Sequence, residues 1–504
     1  MYNNNKLLQS IFNPTQTTNG AAAFKSTLSA LLDFYYKSAT MLPAEKETVT
    51  FDYFGRDVSN VIQLFDAAFR ENPDYAMRLL YELRDFRSPI GGRGRKSVVA
   101  VIYRHLANTY PEKFVKHFSN IVEYGSWKDL LWLFGTKVEV AMMEFWVDQI
   151  RDDFNSEVPT LAAKWFPSEN SGKLSKLFYQ KFLLHFDCSA QLLRKTISTL
   201  RKRIKLVEQQ MSENNWSEID YGSVPSQASK LYSKAFWNHD ALRYKLYLDK
   251  VEKGEAKMNI QAVEMYEVFH NPTHAVQAQF QEIIKLVQSW IPEGYNILPI
   301  VDTSGSMGNW TGFNLNTKSP KFSPMDIAIG IGIALSKGNN GTFKDAMFNF
   351  DEKPKLHYFP ENNFQQLYHN VRNMSWGGNT NLLAVFDTLL TVARNNHLKS
   401  SDLPNVLIVL SDMQFDGNQH NWKATTFDSI KAKYQTAGFN MPLIVWWSIN
   451  GSSNNVPVTK DEWGALCVSG WSQSVAKTVV SGAYSPNEVI ERIVNHERYN
   501  KIVW

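Results

Sequence analysis

The spacing of apolar residues along the chain changes near residue 290. Before that point apolar residues recur at three- and four-residue intervals, which is the spacing of one buried face of an α-helix. Short polar or Pro/Gly breaks separate these segments, and we predict helices over residues 61–69, 76–83, 98–103, 114–122, 128–134, 138–150, 174–184, 194–210, 229–247, 259–268 and 274–289. Consecutive short helices without strands between them favour an array of helix pairs of solenoid type. Because no sequence repeat recurs at a fixed period, a helical bundle is the alternative.

After residues 291–294, apolar runs of strand length alternate with helical segments. We predict strands over residues 297–301, 343–350, 406–410, 443–448 and 465–468, and helices over residues 325–336, 364–371, 382–395, 427–437 and 485–495. Alternating strands and helices with continuously apolar strands indicate a parallel sheet covered on both faces. The fold class is therefore α + α/β, with an all-α region over 1–290 and a doubly wound, Rossmann-like α/β domain over 291–504.

Bulk properties restrict the class of protein. A chain of 504 residues is too long for one core, and its 44% hydrophobic and 13% aromatic content argues against long disorder. A net charge of +4 does not by itself indicate a nucleic-acid partner. Cys188 and Cys467 have no CxxC neighbour, so we expect reduced thiols. With no apolar core of a signal peptide and no run of membrane-spanning length, we expect a cytoplasmic monomer without a membrane partner.

Oxygen-bearing side chains lie at positions that a doubly wound sheet brings together. Asp302, Ser304 and Ser306 follow the first predicted strand, and Asp412 follows the third. Thr380 comes after a glycine-rich turn and before a helix. Ligands bind beyond the carboxyl ends of the strands in such sheets, and hard oxygen ligands suit Mg²⁺ or another divalent cation.

The same five residues resemble the metal-ion-dependent adhesion site of von Willebrand factor A domains. Asp302-x-Ser304-x-Ser306, then Thr380, then Asp412 occur in the family's order. The resemblance implies that the hydroxyls contact the metal, that the aspartates act through water, and that a partner's carboxylate completes the coordination.

Met413 departs from this family's pattern, because many members have glycine after the second aspartate. This changes the flexibility of the loop and leaves the ligand in place. The alternative interpretation of Asp302 and the two serines is that they cap the helix after the first strand.

Several motifs before residue 290 resemble the TROVE module of the Ro autoantigen family and its relatives that join a TROVE-like region to a von Willebrand A domain. These motifs occur in a specific order, at residues 19–21, 31–36, 83–87, 91–96, 124–130, 216–221 and 224–226. The resemblance implies a ring of HEAT-like repeats that binds RNA, with single-stranded ends entering the ring.

Basic residues give this implication some independent support. The loop Gly91-Gly92-Arg93-Gly94-Arg95-Lys96 places three cations at a helix start, where backbone amides also favour phosphate. It is not a P-loop, since Arg95 stands where that motif requires glycine. Between 194 and 250 there are 11 Lys/Arg and 6 Asp/Glu, an excess of five cations. The candidate RNA-binding residues are Arg87, Arg93, Arg95, Lys96, Lys128, Arg194, Lys195, Arg201, Lys202, Arg203 and Lys205.

Each part of the RNA interpretation has a structural alternative. Trp127, Trp216 and Trp237 can stack on bases as single-strand binders require, but a tryptophan in a helical repeat is commonly part of the core. The cations of 201–205 can form a solvated helix face, and the glycine loop can simply connect two helices.

These features together predict a ribonucleoprotein scaffold that binds small or misfolded RNA, with a Mg²⁺-binding domain that recruits a protein partner through an acidic residue. The alternative is a metal-dependent protein–protein adaptor without RNA. No HExxH or GxSxG pattern occurs, so we expect a binding protein, and a metal-dependent hydrolase is the least favoured interpretation.

Overall fold

The computed structural model describes residues 11–41, 59–270, 273–308, 322–350, 354–374, 381–416, 425–451 and 455–504. Helices dominate the chain before residue 290, and a six-stranded mixed sheet with its own helices follows. The α + α/β class expected from the sequence is therefore observed. None of the described helices is both long enough and apolar enough to cross a membrane.

The first part of the chain consists of helices joined by short connections. They are α1 (Ala30–Ser38), α2 (Ser59–Glu71), α3 (Pro73–Arg84), α4 (Lys96–Thr109), α5 (Pro111–Phe114), α6 (Phe118–Tyr124), α7 (Glu139–Asn155), α8 (Ala162–Trp165), α9 (Lys173–His185), α10 (Ala190–Arg203), α11 (Val207–Ser212), α12 (Ser226–Glu252), α13 (Met265–His270) and α14 (Val276–Gln288).

Local sequence explains where several of these helices begin and end. The side chain of Asn72 accepts a 3.0 Å hydrogen bond from the Tyr75 amide, and Pro73 occupies the first turn of α3. Lys205 has a φ of 53°, a left-handed conformation that ends the helix predicted over 194–210 and separates α10 from α11. The segment Trp127–Leu133, predicted as an α-helix, is a 3₁₀ helix.

Six strands form the sheet of the second part. They are β3 (Ile297–Asp302), β4 (Ala346–Phe350), β5 (Lys355–Tyr358), β6 (Val406–Ser411), β7 (Leu443–Ser448) and β8 (Ala465–Ser469), in the order β5-β4-β3-β6-β7-β8. All neighbours are parallel except β4 and β5. The sequence did not predict β5, because this antiparallel edge strand exposes Leu356 and Tyr358 and lacks the apolar run of a buried strand.

Helices accompany the sheet. They are α15 (Pro324–Gly338), α16 (Phe364–Arg372), α17 (Leu383–Asn395), α18 (Thr426–Ala437), α19 (Ala476–Val479) and α20 (Pro486–Val494). The first strand of the sheet, β3, pairs with β4 on one side and with β6 on the other. The strand order therefore reverses between β3 and β6, and a crevice at the carboxyl ends of these two strands is where such sheets bind ligands.

A hairpin near the beginning of the described chain packs on the α/β part. Its strands are β1 (Pro14–Gln16) and β2 (Ala22–Phe24). Phe24 and Val456 exchange two backbone hydrogen bonds of 3.0 and 2.8 Å, and α1 then contacts β8 and α20. The domain boundary predicted near residue 290 is thus crossed by the hairpin and α1.

The last described residues return to the helical part. Arg78 donates hydrogen bonds of 3.0 Å to the carbonyls of Val494 and Ile502. Arg498 forms a 2.5 Å ion pair with the buried Asp85. A continuous apolar core extends through both parts of the molecule, so the helical region and the sheet support each other.

Candidate metal centre and the predicted RNA-binding residues

Two buried carboxylates lie at the carboxyl ends of adjacent strands. Asp302 is the last residue of β3, and Asp412 directly follows β6. Both residues are almost fully buried. Since β3 and β6 are parallel neighbours, their ends bring the two acids to the crevice where the strand order reverses.

Asp302 is held by its neighbours on both strands. The Ser411 hydroxyl donates a 2.5 Å hydrogen bond to Oδ2, and the Ser304 amide donates a 2.9 Å hydrogen bond to Oδ1. Burial and the nearby charge of Asp412 nevertheless raise the pKa of Asp302 to about 7. The hydrogen bonds from Ser411 and Ser304 therefore offset only part of the cost of a charged Asp302 at this site.

Asp412 has one carboxylate oxygen without a partner. Its Oδ1 accepts a 3.0 Å hydrogen bond from the Gln414 amide, whereas its buried Oδ2 has no hydrogen-bond partner among the described residues. A carboxylate oxygen that is buried without a partner is unfavourable unless a cation or a donor compensates it. This oxygen is consequently the best indication that the crevice takes a ligand.

Two hydroxyls of the candidate set lie together on the loop after β3. The Oγ atoms of Ser304 and Ser306 are 3.0 Å apart, with Ser304 buried and Ser306 exposed. Thr380, the fifth predicted ligand, lies outside the described residues.

The donors fit a hard divalent cation. Carboxylate and hydroxyl oxygens at one crevice are suitable ligands for Mg²⁺. Within the described ranges, no group of three or more His, Cys, Asp and Glu side chains could hold a metal ion. A metal here would thus depend on hydroxyl ligands in addition to Asp302 and Asp412.

The loop that follows Asp412 has a strained residue. Met413 is buried and has a φ of 64°, a left-handed conformation that glycine adopts without cost. Its amide donates a 2.9 Å hydrogen bond to Oγ of Ser411. Glycine at this position would adopt the same conformation without the cost that the methionine side chain adds.

The hairpin β1–β2 holds this loop, which sequence reasoning did not anticipate. The Thr17 hydroxyl donates a 2.7 Å hydrogen bond to the Phe415 carbonyl. The Thr18 amide and the Asn19 side chain donate to Oε1 and the carbonyl of Gln414, at 2.7 and 2.8 Å. The only sequence signal was the motif at 19–21, which suggested a family and not a contact.

The glycine loop predicted to bind phosphate instead packs inside the molecule. Arg93 is buried and forms a 2.5 Å ion pair with Glu82, and its Nη1 donates to the Tyr35 carbonyl. A Cβ on Gly92 would lie 1.8 Å from the Asp85 carbonyl oxygen, and the Gly92 carbonyl accepts a 2.7 Å hydrogen bond from Ser474. Contrary to the prediction, Arg93 is not accessible to RNA in this structure, because it is buried and paired with Glu82.

Arg95 is also engaged internally. Its guanidinium lies 3.9 Å from the ring centroid of Trp471 and donates a 2.8 Å hydrogen bond to the Met41 carbonyl. Burial lowers its pKa to about 10. Lys96 is exposed at the start of α4 and is the most accessible of the loop's three cations.

Two arginines of α10 bind the ends of neighbouring helices. Arg201 donates hydrogen bonds of 2.9 Å to the carbonyls of Ala163 and Phe166, and burial lowers its pKa. Arg203 donates a 3.0 Å hydrogen bond to the Phe154 carbonyl. A guanidinium at a helix C-terminus satisfies free carbonyls there, so these two side chains have structural roles.

The other predicted cations are exposed. Arg87 reaches the carbonyls of Glu123 and Gly125, Lys128 lies 5.7 Å from the Trp165 ring centroid, and Arg194 forms a 3.5 Å ion pair with Glu169. Lys195, Lys202 and Lys205 are also exposed, and they form no ion pair within the described part of the chain.

The tryptophans predicted to stack on bases are occupied by other rings. Trp127 is 5% exposed and stacks on Phe145, so its base-stacking role is wrong and the core interpretation holds. Trp216 stacks on His239 with centroids 4.3 Å apart, and Trp237 stacks in the same way on His274.

Comparison with known proteins matches two segments of the chain to families without an assigned role. Residues 296–501 match the family described as "Domain of unknown function (DUF7788)", and residues 159–285 match the "Domain of unknown function (DUF2828)". The first match begins one residue before β3 and spans the α/β part. The second lies within the helical part, so the comparison divides the chain where the fold does.

The chain is also similar to a viral protein. It is 26% identical over 516 residues to "Uncharacterized protein L728" of Acanthamoeba polyphaga mimivirus, a similarity that covers 92% of this chain and 84% of the viral one. The viral relative therefore shares both the helical and the α/β segments.

Proposed function

We propose that this protein is a binding protein that captures an acidic group of a protein partner through a divalent cation. Asp302, Ser304, Ser306, Thr380 and Asp412 would hold the cation, as the resemblance to von Willebrand A domains implies. The observation that carries the proposal is the buried Oδ2 of Asp412, beside Asp302, for which the described residues provide no hydrogen-bond partner.

The electrostatics of the crevice support a cation over an empty, purely structural turn. Capping accounts for the Oδ1 of Asp412, which accepts from the Gln414 amide, but it does not account for a buried Oδ2 that has no donor among the described residues. A bound divalent cation would offset the negative charge of both carboxylates. Ser306 is exposed, so the side of the site that would receive a partner's carboxylate faces solvent.

RNA binding by the helical region is the second candidate. One support is the ordered TROVE-like motifs, which imply a ring of HEAT-like repeats. The other is the exposure of Lys195, Lys202 and Lys205. It has less support than the cation site, because Arg93, Arg95, Arg201 and Arg203 are engaged within the protein.

Calorimetric titration of the full chain with Mg²⁺ tests the first proposal. Wild-type protein should bind Mg²⁺, and Asp412→Asn should weaken binding by about tenfold or more, because it removes a charged ligand. Asp461→Asn is the matched control, since Asp461 is an exposed aspartate in the connection between β7 and β8. Equal Mg²⁺ affinity in wild type and Asp412→Asn would overturn the proposal.

Partner capture provides the second part of the test. Beads carrying a peptide with a single accessible glutamate should retain wild-type protein in Mg²⁺ and release it in EDTA. The corresponding glutamine peptide should not retain it. Retention that survives both EDTA and Asp412→Asn would contradict the cation-dependent mechanism.

A further inference from the structure

The helices α9 and α10 carry the strongest local charge that we find in the described chain. Residues 173–205 contain nine Lys/Arg and one acid, Asp187, which gives this segment a net charge of +8. The whole chain is only +4, so the remaining residues sum to −4. A balanced total thus conceals one strongly basic surface.

Part of this charge is available to a partner. Lys181 pairs with Glu139 at 2.8 Å, and Arg194 with Glu169 at 3.5 Å. Five other lysines are exposed and have no ion pair within the described ranges: Lys173, Lys176, Lys195, Lys202 and Lys205.

Both helices bury the opposite side of their surface. Phe178 and Phe182 of α9 pack in an aromatic cluster with Phe166, with ring centroids 5.7 and 4.9 Å from it. On α10, Leu193 and Leu200 are buried. The lysine-bearing faces are therefore the outward faces of two helices that are anchored in the core.

Leucines protrude among these lysines. Leu184 is 84% exposed near the end of α9, and Leu192 is 59% exposed in the first turn of α10. Leu177 is also exposed, and it lies seven residues before Leu184 and so on the same face of α9. The turn between the helices brings Leu184 and Leu192 to the same end of the pair.

We propose that this outward surface of α9 and α10 binds the surface of an anionic lipid membrane. Lysines beside an anionic leaflet are attracted to its headgroups, and aliphatic side chains that protrude between them can enter the boundary between headgroups and acyl chains. On this surface the lysines would contact the headgroups while the leucines enter the boundary with the acyl chains, which explains why exposed leucines accompany the lysines. It departs from the sequence-based expectation of a protein without a membrane partner, and it is independent of the proposed cation site.

A nucleic acid is the other polyanion that lysines could recognise, but the side chains on this surface fit it less well. Phosphate contacts need cations alone, and single-strand binders add exposed aromatic rings on which bases stack. Between 173 and 205 the aromatic residues are buried or half-buried, and the protruding side chains are leucines. The aliphatic tip therefore favours the lipid surface.

Vesicle co-sedimentation of the full chain tests the proposal. The protein should sediment with vesicles of phosphatidylserine mixed into phosphatidylcholine, and it should remain in solution with pure phosphatidylcholine. Lys195→Glu with Lys202→Glu should lower the partition coefficient by about tenfold or more, because each removes one attractive charge and adds a repulsive one. Leu184→Ser with Leu192→Ser should also lower it, and both positions are exposed enough to be changed without loss of fold.

The control is Leu242→Ser on α12, where a leucine of 77% exposure lies beside both Lys245 and Asp249. It should leave the partition coefficient unchanged. Absence of sedimentation with the mixed vesicles would overturn the proposal. So would a result in which the lysine variant lowers the affinity for a fluorescent RNA while vesicle binding is absent, since that assigns the surface to nucleic acid.

Discussion

The hydroxyl of Ser411 donates a 2.5 Å hydrogen bond to Oδ2 of Asp302, across 109 positions of sequence. This contact joins the ends of β6 and β3 at the point where the strand order reverses. It also lowers the pKa of an aspartate whose burial and charged neighbour raise it. Ser411 is therefore a positioning residue for the candidate metal site.

Replacing Ser411 by alanine should weaken Mg²⁺ binding. Without the hydroxyl, Asp302 is harder to ionise, so a proton competes more strongly with the cation. We expect the Mg²⁺ affinity to fall by about tenfold, which is the lower end of the range of losses seen when residues that orient metal ligands are replaced. Calorimetric titration at neutral pH measures it. Ser448→Ala is the control, because Ser448 ends the next strand and its hydroxyl points to the Asn450 carbonyl. Equal losses in both variants would contradict the role of Ser411.

The hairpin contact predicts a coupling between residues near the start of the chain and the same site. Thr17→Val removes the hydroxyl that donates to the Phe415 carbonyl and accepts from the Ala21 amide at 2.9 Å. Two buried backbone groups lose their partner, so unfolding free energy should fall by about 1–3 kcal/mol. Because the loop after Asp412 is then held less firmly, Mg²⁺ affinity should fall as well.

Chemical denaturation and Mg²⁺ titration of Thr17→Val measure these two effects. Thr18→Val is the matched control, since the Thr18 side chain is exposed and only its amide contacts Gln414. If Thr17→Val changed stability without changing Mg²⁺ affinity, the hairpin would be structural and unconnected to the cation site.

The buried pair of Arg93 and Glu82 gives a prediction about stability. Arg93→Ala leaves the Glu82 carboxylate without its ion-pair partner, which costs about 3–5 kcal/mol in comparable buried pairs. Lys96→Ala, three residues later and exposed, should leave stability unchanged. Denaturant titration of both variants checks this. If both variants lowered the unfolding free energy equally little, Arg93 would have to be solvent-accessible. The prediction that the glycine loop binds phosphate would then be supported again.

These residues show how far the sequence could lead. The five strands of the parallel part and their flanking helices were predictable, because continuous apolar runs and helical spacing record which faces are buried. The positions of Asp302 and Asp412 followed from the rule about strand ends. The environment of Arg93 was not predictable, since a cation in a glycine-rich loop has the same sequence signature whether it faces solvent or Glu82. The contact of Thr17 with Phe415 spans 398 positions and leaves no local pattern.

Glu264 predicts a pH dependence of the contact between the two parts of the molecule. Its carboxylate accepts hydrogen bonds from the Ser472 hydroxyl at 2.7 Å and the Gln473 amide at 2.8 Å, and burial raises its pKa to about 7. Between its ordinary pKa of 4.5 and about 7, the folded state binds more protons than the unfolded state, so this group's contribution to stability is lost as pH rises through that window. The side chain that the variant Glu264→Gln carries at this position cannot ionise. The difference in unfolding free energy between wild type and Glu264→Gln should therefore change by about 3 kcal/mol between acid and neutral pH. Denaturant titrations across this range measure the difference. Glu462→Gln is the control that should show no such change, because Glu462 is only half-buried and its ion-pair partner is Lys431, 3.8 Å away. A difference that stays constant with pH would mean that Glu264 ionises in the folded protein as readily as in the unfolded chain.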